Sequence, residues 1–421
     1  MAVSRDIPRY PDHRRAVITG IGPVTPIGTG KVAFWQGLLA EKSPIARVRC
    51  FDVSANKAQC AAEMPDFDVS QWFPSHEAKR WDRCTQFAMV GTKLAIEDAG
   101  LDLAPGSKHP RIGVSFGSAL GGIADAERHH AKFLTEGIKS VPRALALQIY
   151  GGSTHSNISI HFGLQGPATT HSNSCASGNV ALGDALRLIR EGHADVIIAG
   201  ASEAPLSPLT FTAFDLIHTM SRWQGDPIAH ACRPFDVDRD GFVMGEGAAC
   251  FVVESYEHAT RRGARIYAEL VGFSLTSEAH HMTIPRPDGE PLYRTMQMAL
   301  DDARINASDI AYVSAHASST PQNDVNEAAQ IAALFGPDAP PTSGTKPYTG
   351  HALGAAGAME CAITLLGMEN GWLPPTLHFE KTNCASLDYV PNHGREAEVK
   401  AALLNSFGFG GVDSSLVVAK V

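Results

Sequence analysis

Cys175 stands where an extended segment, Ala168 to Ser174, turns into a helical pattern that opens Cys175-Ala176-Ser177-Gly178. A helix N-terminus carries roughly half a positive charge and several unpaired N–H groups. A thiol placed there is expected to be acidified, and the thiolate is the nucleophile. The same N–H groups can hold the oxyanion formed when a thioester is attacked. His316 ends the apolar run Ile310–Ala315 and opens the hydroxyl-rich turn Ser318-Ser319-Thr320-Pro321. His351 follows Thr345-Lys346-Pro347-Tyr348-Thr349-Gly350 and opens a helix of small residues, Leu353-Gly354-Ala355-Ala356-Gly357-Ala358. A lone histidine is more often a cap or a satisfied core residue. Junctions that each bear Cys or His can instead converge on one cavity, as a nucleophile with two imidazole partners.

The run Asn405-Ser406-Phe407-Gly408-Phe409-Gly410-Gly411 makes a poor core strand. It suits a backbone that approaches a ligand closely while an aromatic ring moves, or else an ordinary glycine-rich turn. Other motifs are less telling. Gly20-Ile21-Gly22 follows a strand, but Thr25 stands where a dinucleotide loop needs its third glycine. Gly113-Val114-Ser115-Phe116-Gly117 matches the hydrolase GxSxG pattern, yet reads better as a buried strand entering a glycine turn, since so short a pattern matches often by chance. His129-His130 and His280-His281 lack metal-site spacing, so no metal is expected.

The remaining cysteines, Cys50, Cys60, Cys84, Cys232, Cys250, Cys361 and Cys384, form no CxxC pair. Buried free thiols in a reducing compartment are the simplest reading. Cys384-Ala385-Ser386 repeats the triplet at Cys175, but its sequel is strand-like and stops at Pro391. No helix N-terminus is aimed at that thiol.

Short apolar runs position these residues. Candidate strands are Ala16–Ile21, Ile112–Phe116, Asp195–Ala199, Cys250–Glu254, Tyr267–Phe273, Ile310–Ala315, Ala402–Ser406 and Ser415–Val421. Candidate helices are Lys31–Leu39, Arg80–Ala99, Ala176–Glu191, Pro291–Ala303, Asp324–Leu334 and Ala355–Glu369. Continuous apolar strands between helices indicate an α/β architecture with sheets covered on both faces. The helices after Cys175 and His351 begin with tiny residues, which cost helix propensity. Backbone packing on backbone explains that cost, and one such helix in each half suggests a duplicated fold with its central helices in contact. The boundary is expected near Glu257–Gly263.

The chain has 421 residues, 44% hydrophobic and 19% charged, the balance of a soluble globular protein. Net charge -9 and a pI near 6.0 leave no basic footprint for nucleic acid. Residues 1–15 lack the apolar core of a signal peptide, and no run of about 18 apolar residues suggests a membrane span. A cytoplasmic location is expected.

Several blocks together are specific: Ala16-Val17-Ile18-Thr19-Gly20-Ile21-Gly22, Ser174 to Gly178, Arg233-Pro234-Phe235-Asp236, Asp240-Gly241-Phe242-Val243-Met244-Gly245-Glu246-Gly247, Thr345-Lys346 with Gly350-His351, and Asn405 to Gly411. They resemble the elongating type of β-ketoacyl-acyl-carrier-protein synthase from Arg15 to Val421. The resemblance implies an α/β, thiolase-type duplicated fold in five layers, αβαβα. Residues 1–258 would form the half carrying the cysteine, and residues 259–421 the half carrying both histidines and a gating loop. It implies substrates on the phosphopantetheine of an acyl carrier protein, with no separate cofactor. It also implies a homodimer, or a heterodimer with a chain-length factor in a type II polyketide system.

By that resemblance Cys175 accepts the acyl chain, and the N–H groups of Cys175 and Phe409 form the oxyanion hole. His316 and His351 hold the malonyl thioester oxygen. Lys346 and Glu360 support the second histidine, Ser318 and Thr320 bond the pantetheine arm, and Phe409 is the gate. Leu120 lines the acyl pocket, and Phe407 belongs to the substrate site. Some positions depart from the family. His316-Ala317-Ser318 stands for His-Gly-Thr, and the added methyl would lie near the arm. Asn173-Ser174 stands for Thr-Ala, Tyr150-Gly151-Gly152-Ser153 for a Phe-Val-Pro-Ser-like segment, and Gly411-Val412-Asp413 for Gly-Thr-Asn. Arg286-Pro287-Asp288-Gly289 and Gln322-Asn323-Asp324 resemble type II polyketide ketosynthases. Fatty-acid and polyketide pathways both stay open.

Alternatives from other classes are a non-catalytic chain-length factor, which normally lacks the cysteine, a thiolase, which usually adds a second cysteine, and a serine hydrolase through Ser115. Carrier proteins are acidic, so docking needs a local basic patch. Arg80, Arg83, Arg261, Arg262 and Arg265 are the candidates by clustering, against a reading as solvated surface charge.

Overall fold

The computed structural model describes residues 10–104 and 106–421. Ten strands among them form the main path of one large sheet: β1 (Ala16–Thr25), β2 (Ile112–Gly117), β3 (Ala168–His171), β4 (Val196–Glu203), β5 (Gly247–Ser255), β6 (Ala268–Ser277), β7 (Tyr312–Ser314), β8 (Thr342–Ser343), β9 (Ala401–Gly408) and β10 (Val412–Ala419). The first five lie in the order β3-β2-β4-β5-β1 and the last five in the order β8-β7-β9-β10-β6. Each strand of the first set thus has a counterpart numbered five higher. Pairing sense repeats too: each run is parallel, parallel, antiparallel, antiparallel. The fold is a duplicated α/β unit, and β1 and β6 join its sheets where Ala16–Ile18 faces Ala268–Leu270.

Five helices complete the layers: α1 (Arg83–Ala99), α2 (Ser177–Arg190), α3 (Glu290–Ala303), α4 (Pro321–Phe335) and α5 (Ala356–Asn370). The first sheet lies between α1 outside and α2 inside, and the second between α5 inside and α3 with α4 outside. This gives the five αβαβα layers. Being covered on both faces, β1, β4 and β5 are buried at every residue. α1 begins on the Asp82 side chain, which accepts from the N–H groups of Cys84 and Thr85, and ends at Gly100 in the left-handed region. α5 is buried from Ala356 through Met368, so it shows no polar face.

The two early motifs find structural roles. Gly20 and Gly22 sit inside β1, where α1 crosses so closely that a Cβ at Gly22 would lie 1.9 Å from Gly91 O. This glycine pair serves packing, and the nucleotide reading lapses. Ser115 is fully buried in mid-strand. Its Oγ lies 3.0 Å from His171 Nε2 and donates to Asp184 Oδ2 at 2.9 Å. The same ring nitrogen lies 3.1 Å from Asp184, so the acid does not orient the imidazole from its far side as a catalytic triad requires.

Candidate active site

A cavity of about 320 Å³ brings together Cys175, His316, His351, Ser318, Thr320, Phe407 and Phe409. Cys175 comes from the junction of β3 with α2, His351 from the corresponding junction of β8 with α5, and His316 from the end of β7. Nucleophile and imidazoles therefore come from opposite halves.

The residue before the nucleophile, Ser174, has φ +50, which turns the chain sharply into a 3₁₀ turn, Ser174–Ala176, ahead of α2. Ser177 Oγ ties this turn, accepting from Asn173 N–H at 2.8 Å and donating to Ser174 O at 2.7 Å. From the other half, Ser406 Oγ donates to Cys175 O at 2.9 Å. Burial pushes the Cys175 thiol up to about 12, although the Lys346 charge and a hydrogen bond from Phe409 N–H favour the thiolate. The expected acidification is thus reversed in this state. The thiol is 7% exposed, and loss of water outweighs the favourable groups around it.

The backbone N–H groups of His316 and Ala317 both donate to Glu327 on α4, each at 2.8 Å. Ala317 has φ +42, and its methyl is fully buried in the core between the second sheet and its outer helices. It is not among the residues that line the cavity. The Arg233–Asp236 block holds the same turn from outside. Arg233 N–H donates to Ser319 Oγ at 3.0 Å, Phe235 N–H donates to Asp324 at 2.9 Å, and Arg239, just beyond the block, donates to Pro321 O at 2.7 Å.

His351 is held through its backbone, donating to Val243 O at 2.6 Å and accepting from Gly245 N–H at 3.0 Å. A Cβ at Gly245 would lie 2.2 Å from Thr349 O. The glycines of the Asp240–Gly247 block are therefore needed for backbone to seat on backbone. The two imidazole rings meet edge to face with centroids 5.3 Å apart. Burial first, and then the Lys346 charge, holds both well below their ordinary value. Both rings are neutral at neutral pH, each with one N–H to donate.

Lys346 reaches His316 rather than His351. Its Nζ donates to His316 O, lies 3.4 Å from His316 Nδ1, and pairs with Glu360 at 2.5 Å. The expected support of the second histidine is corrected on this point. β7 and β8 are parallel neighbours, so Lys346, just past β8, emerges beside His316, just past β7. His351 Nδ1 has no hydrogen-bond partner. Burial pushes Glu360 up to about 7, opposed by Lys346.

The model of the Beta-ketoacyl synthase N-terminal domain matches residues 13–259, and that of the C-terminal domain matches residues 267–380. The chain belongs to the β-ketoacyl synthase family. It is 39% identical to 3-oxoacyl-[acyl-carrier-protein] synthase 2 of Coxiella burnetii, over 97% of this chain and 99% of that protein. It is 41% identical to the tetracenomycin polyketide synthase ketoacyl synthase alpha subunit of Streptomyces glaucescens, over 97% of each. A solved β-ketoacyl synthase from Burkholderia phymatum superposes with TM-score 0.89 at 35% identity, over 97% of this chain and 100% of that one. A structure described as a type II polyketide acyl-carrier protein in complex with its ketosynthase gives TM-score 0.88 at 34% identity, over 97% of this chain and 99% of the matched chain. This synthase thus shares the thiolase-type fold.

In this synthase, Ser318 Oγ and Thr320 Oγ1 lie 2.8 Å apart on the cavity wall. The Phe407 ring is 6.0 Å from that of His316, and the Phe409 ring stacks on Phe214 at 6.3 Å. Lys346, Glu360 and Leu120 stand behind the wall. Leu120 joins a neighbouring apolar cluster that meets the cavity at Leu353. Its N–H donates to the buried carboxylate of Glu203 at 3.1 Å, which also accepts from Gly354 N–H at 3.0 Å and so bridges the halves. Sequence reasoning missed Glu203 and Glu327. Glu327 left a signal, since Asp324, Glu327, Ala328 and Ile331 form the buried stripe of α4 and two of them are acids.

The proposed arginine patch is mostly committed elsewhere. Arg83 pairs with Glu246 at 2.8 Å, Arg262 with the fully buried Glu254 at 2.9 Å, and Arg265 with Glu369. Arg261 lies 3.9 Å from Glu257, and Arg80 is exposed. Among the described residues, no group of three or more His, Cys, Asp or Glu could hold a metal ion, and no helix is long and apolar enough to cross a membrane.

Proposed function

We propose that this chain catalyses decarboxylating Claisen condensation, extending a fatty-acyl or polyketide chain by two carbons. The observation that carries the reading is the cavity whose wall brings Cys175 together with the Phe409 turn and two neutral imidazoles from the other half. The acyl group passes from the pantetheine sulfur of an acyl carrier protein to Cys175 Sγ, and the pantetheine thiol leaves with the Cys175 proton. Malonyl thioester then enters, its thioester oxygen taking the N–H groups of His316 and His351. Loss of carbon dioxide places enolate charge on that oxygen, so these bonds strengthen in the transition state. Each such donor is typically worth about a hundredfold. The carbanion attacks the acyl carbonyl, whose oxyanion the Cys175 and Phe409 N–H groups hold, and Cys175 leaves as thiolate.

Within this reading Lys346 and Glu360 position His316, Ser318 and Thr320 bind the arm, Phe407 borders it, Phe409 gates the channel, and Leu120 lines the acyl side. The halves divide at residues 258 and 259. A thiolase would use coenzyme A and a second cysteine, whereas Cys175 is the cysteine in the described cavity wall. A non-catalytic chain-length factor would lack it.

The partner is an acyl carrier protein, as in the solved polyketide complex. The chain assembles as a homodimer, or with a chain-length factor, as named for the ishigamide ketosynthase/chain length factor. β3 ends its sheet with one side unpaired, and exposed Leu147, Ile149, Tyr150 and Ile160 lie close to it in sequence. The reading sets the reaction in the cytoplasm, in keeping with the absence, among the described residues, of a helix able to cross a membrane. The relative at 41% identity supports the type II polyketide reading and the relative at 39% the fatty-acid reading. Incubation with malonyl-carrier protein and a series of acyl-carrier proteins, with products read by mass, tests the reaction. Release of carbon dioxide without a product two carbons longer for any primer would sink it. Whether a β-keto product is itself extended separates the two pathways.

A further inference from the structure

The turn Gly408–Gly411 is fastened from one side. Gly410 N–H donates to Met282 O at 2.7 Å, and Glu278 N–H donates to Gly411 O at 2.8 Å. Gly411 has φ +65, and a Cβ there would lie 2.9 Å from the Cβ of Glu278. The segment after β6 and the turn bearing Phe409 are thus in direct backbone contact.

Two carboxyl groups sit at the root of this joint. Asp413 is opposite Phe407 on β9 and opposite Thr276 on β6. It is 1% exposed, and its Oδ2 has no hydrogen-bond partner. Glu278 is also buried, with one oxygen accepting from Arg286 N–H at 2.8 Å. Both residues line the cavity that holds Cys175. A buried carboxylate with a bare oxygen beside a second carboxylate is costly, and a proton removes most of the cost. Burial pushes Asp413 up to about 8, with Glu278 adding to the rise. The other charged groups that face it are Arg294 on α3, which opposes the rise, and Glu327 on α4. Arg294 also donates to Ser277 O at 3.2 Å, and Glu327 is engaged by the His316 turn.

We propose that Asp413 is a positioning residue for Phe409: as the neutral acid it lets the turn close on the Glu278 segment over Cys175, and its ionisation beside Glu278 drives the two apart and opens the channel. The inference rests on the condensing reading of the site, in which Phe409 is the gate. One proton passes from the carboxyl group to water on opening, and no other bond changes. The closed form binds that proton more tightly than an open form whose carboxylate is hydrated. Closure is therefore favoured at low pH. It weakens by up to about tenfold per pH unit as pH rises toward the closed-form value, and levels off above it.

Alkylation of Cys175 by the chloroacetamide of pantetheine, whose arm must pass Phe409, tests this in the full chain. The rate is followed by mass from about pH 6 to about pH 9 in the wild type, Asp413→Asn and Glu278→Gln. All carry the same thiol, so its own titration cancels in a ratio of rates. The wild-type rate divided by the Asp413→Asn rate is expected to climb about threefold or more across that range. Glu278→Gln is expected to flatten the climb. A ratio constant with pH would overturn the inference and leave the condensing reading standing. Label on any residue other than Cys175 would overturn the reading itself. If Asp413→Asn does not fold, the ratio against Glu278→Gln decides.

Discussion

Glu327 receives two consecutive backbone N–H groups, those of His316 and Ala317, and its Oε1 also accepts from Asn405 Nδ2 at 3.2 Å. One buried acid on α4 thereby fixes where the first imidazole stands relative to the strand carrying the gate. Glu327→Ala would leave those donors buried and unpaired, at about 1–3 kcal/mol each before relaxation. We expect urea denaturation to show a loss on the order of 3 kcal/mol, and Glu327→Gln to lose less. A stability change within about 0.5 kcal/mol for Glu327→Ala would show that the acid is not holding the turn.

The nucleophile is expected to be Cys175 alone. An acyl-carrier donor should add its acyl mass there and leave Cys384 and Ser115 unlabelled. Because burial holds the thiol high, alkylation by iodoacetamide should quicken with pH by about tenfold per unit between about pH 7 and pH 9, without a plateau. A plateau in that range would mean a thiolate already formed in the resting enzyme.

For the imidazoles, His316→Ala and His351→Ala should each lose malonyl decarboxylation by about a hundredfold, while acyl transfer to Cys175 suffers less. Wild-type decarboxylation in both variants would contradict the assignment. The rings also carry a stability signature. In the unfolded chain they take up protons near about 6.5, whereas the fold depresses that uptake. The unfolded state therefore binds more protons in acid, so the stability is present above about 6.5 and lost as pH falls. Glu360 and Asp413, held high in the fold, act in the opposite sense, so the histidines are isolated by difference: the Tm of the wild type relative to His351→Asn should fall between about pH 7.5 and pH 5.5.

Ala317→Gly addresses the departure from His-Gly-Thr. Glycine relieves a left-handed backbone worth about 1–2 kcal/mol but gives up a buried methyl worth about 0.8 kcal/mol and loosens the unfolded chain. These terms nearly cancel. Stability should change by less than about 1 kcal/mol and condensation by less than about threefold. A larger change in condensation alone would show that the methyl reaches the arm after all.

The carrier-protein surface is best probed away from Arg262. Arg262→Glu removes the partner of a fully buried Glu254 and should cost about 3–5 kcal/mol, visible as a lowered Tm. Arg80→Glu, on an exposed residue, should leave Tm unchanged. If Arg80→Glu also leaves carrier affinity at low salt unchanged, that position does not dock the carrier.

Cys175, His316 and His351 were legible because each stands at a junction where a strand-like run meets small or hydroxyl residues, a local pattern. The contact of Lys346 with His316 was not, because it depends on β7 and β8 being parallel neighbours. The helix Ile123–Glu136 escaped notice although its apolar residues recur at helical spacing, and Asp125 is its one buried residue, so it adds little to the core. The direction of the Cys175 titration also misled, since sequence shows the helix end but not the depth of burial. Leu120 was matched by position alone, and a single leucine carries no sign of which side of a wall it faces.

The helices α2 and α5 meet across a glycine on each, Gly178 on α2 and Gly357 on α5. A Cβ at Gly178 would come within 2.7 Å of Ala358 N, and one at Gly357 within 2.6 Å of Asn179 Oδ1. Gly178 follows Cys175 by three residues, and Gly354, against which the same Cβ would press, follows His351 by three. The gap between nucleophile and donors is therefore gauged by an inert contact, much as a spacer sets the jaws of a tool. Its tolerance is less than one methyl group. A Gly178→Ala protein that melts near the wild-type temperature, yet transfers acyl groups and decarboxylates malonate without joining them, would be the mark of that misalignment.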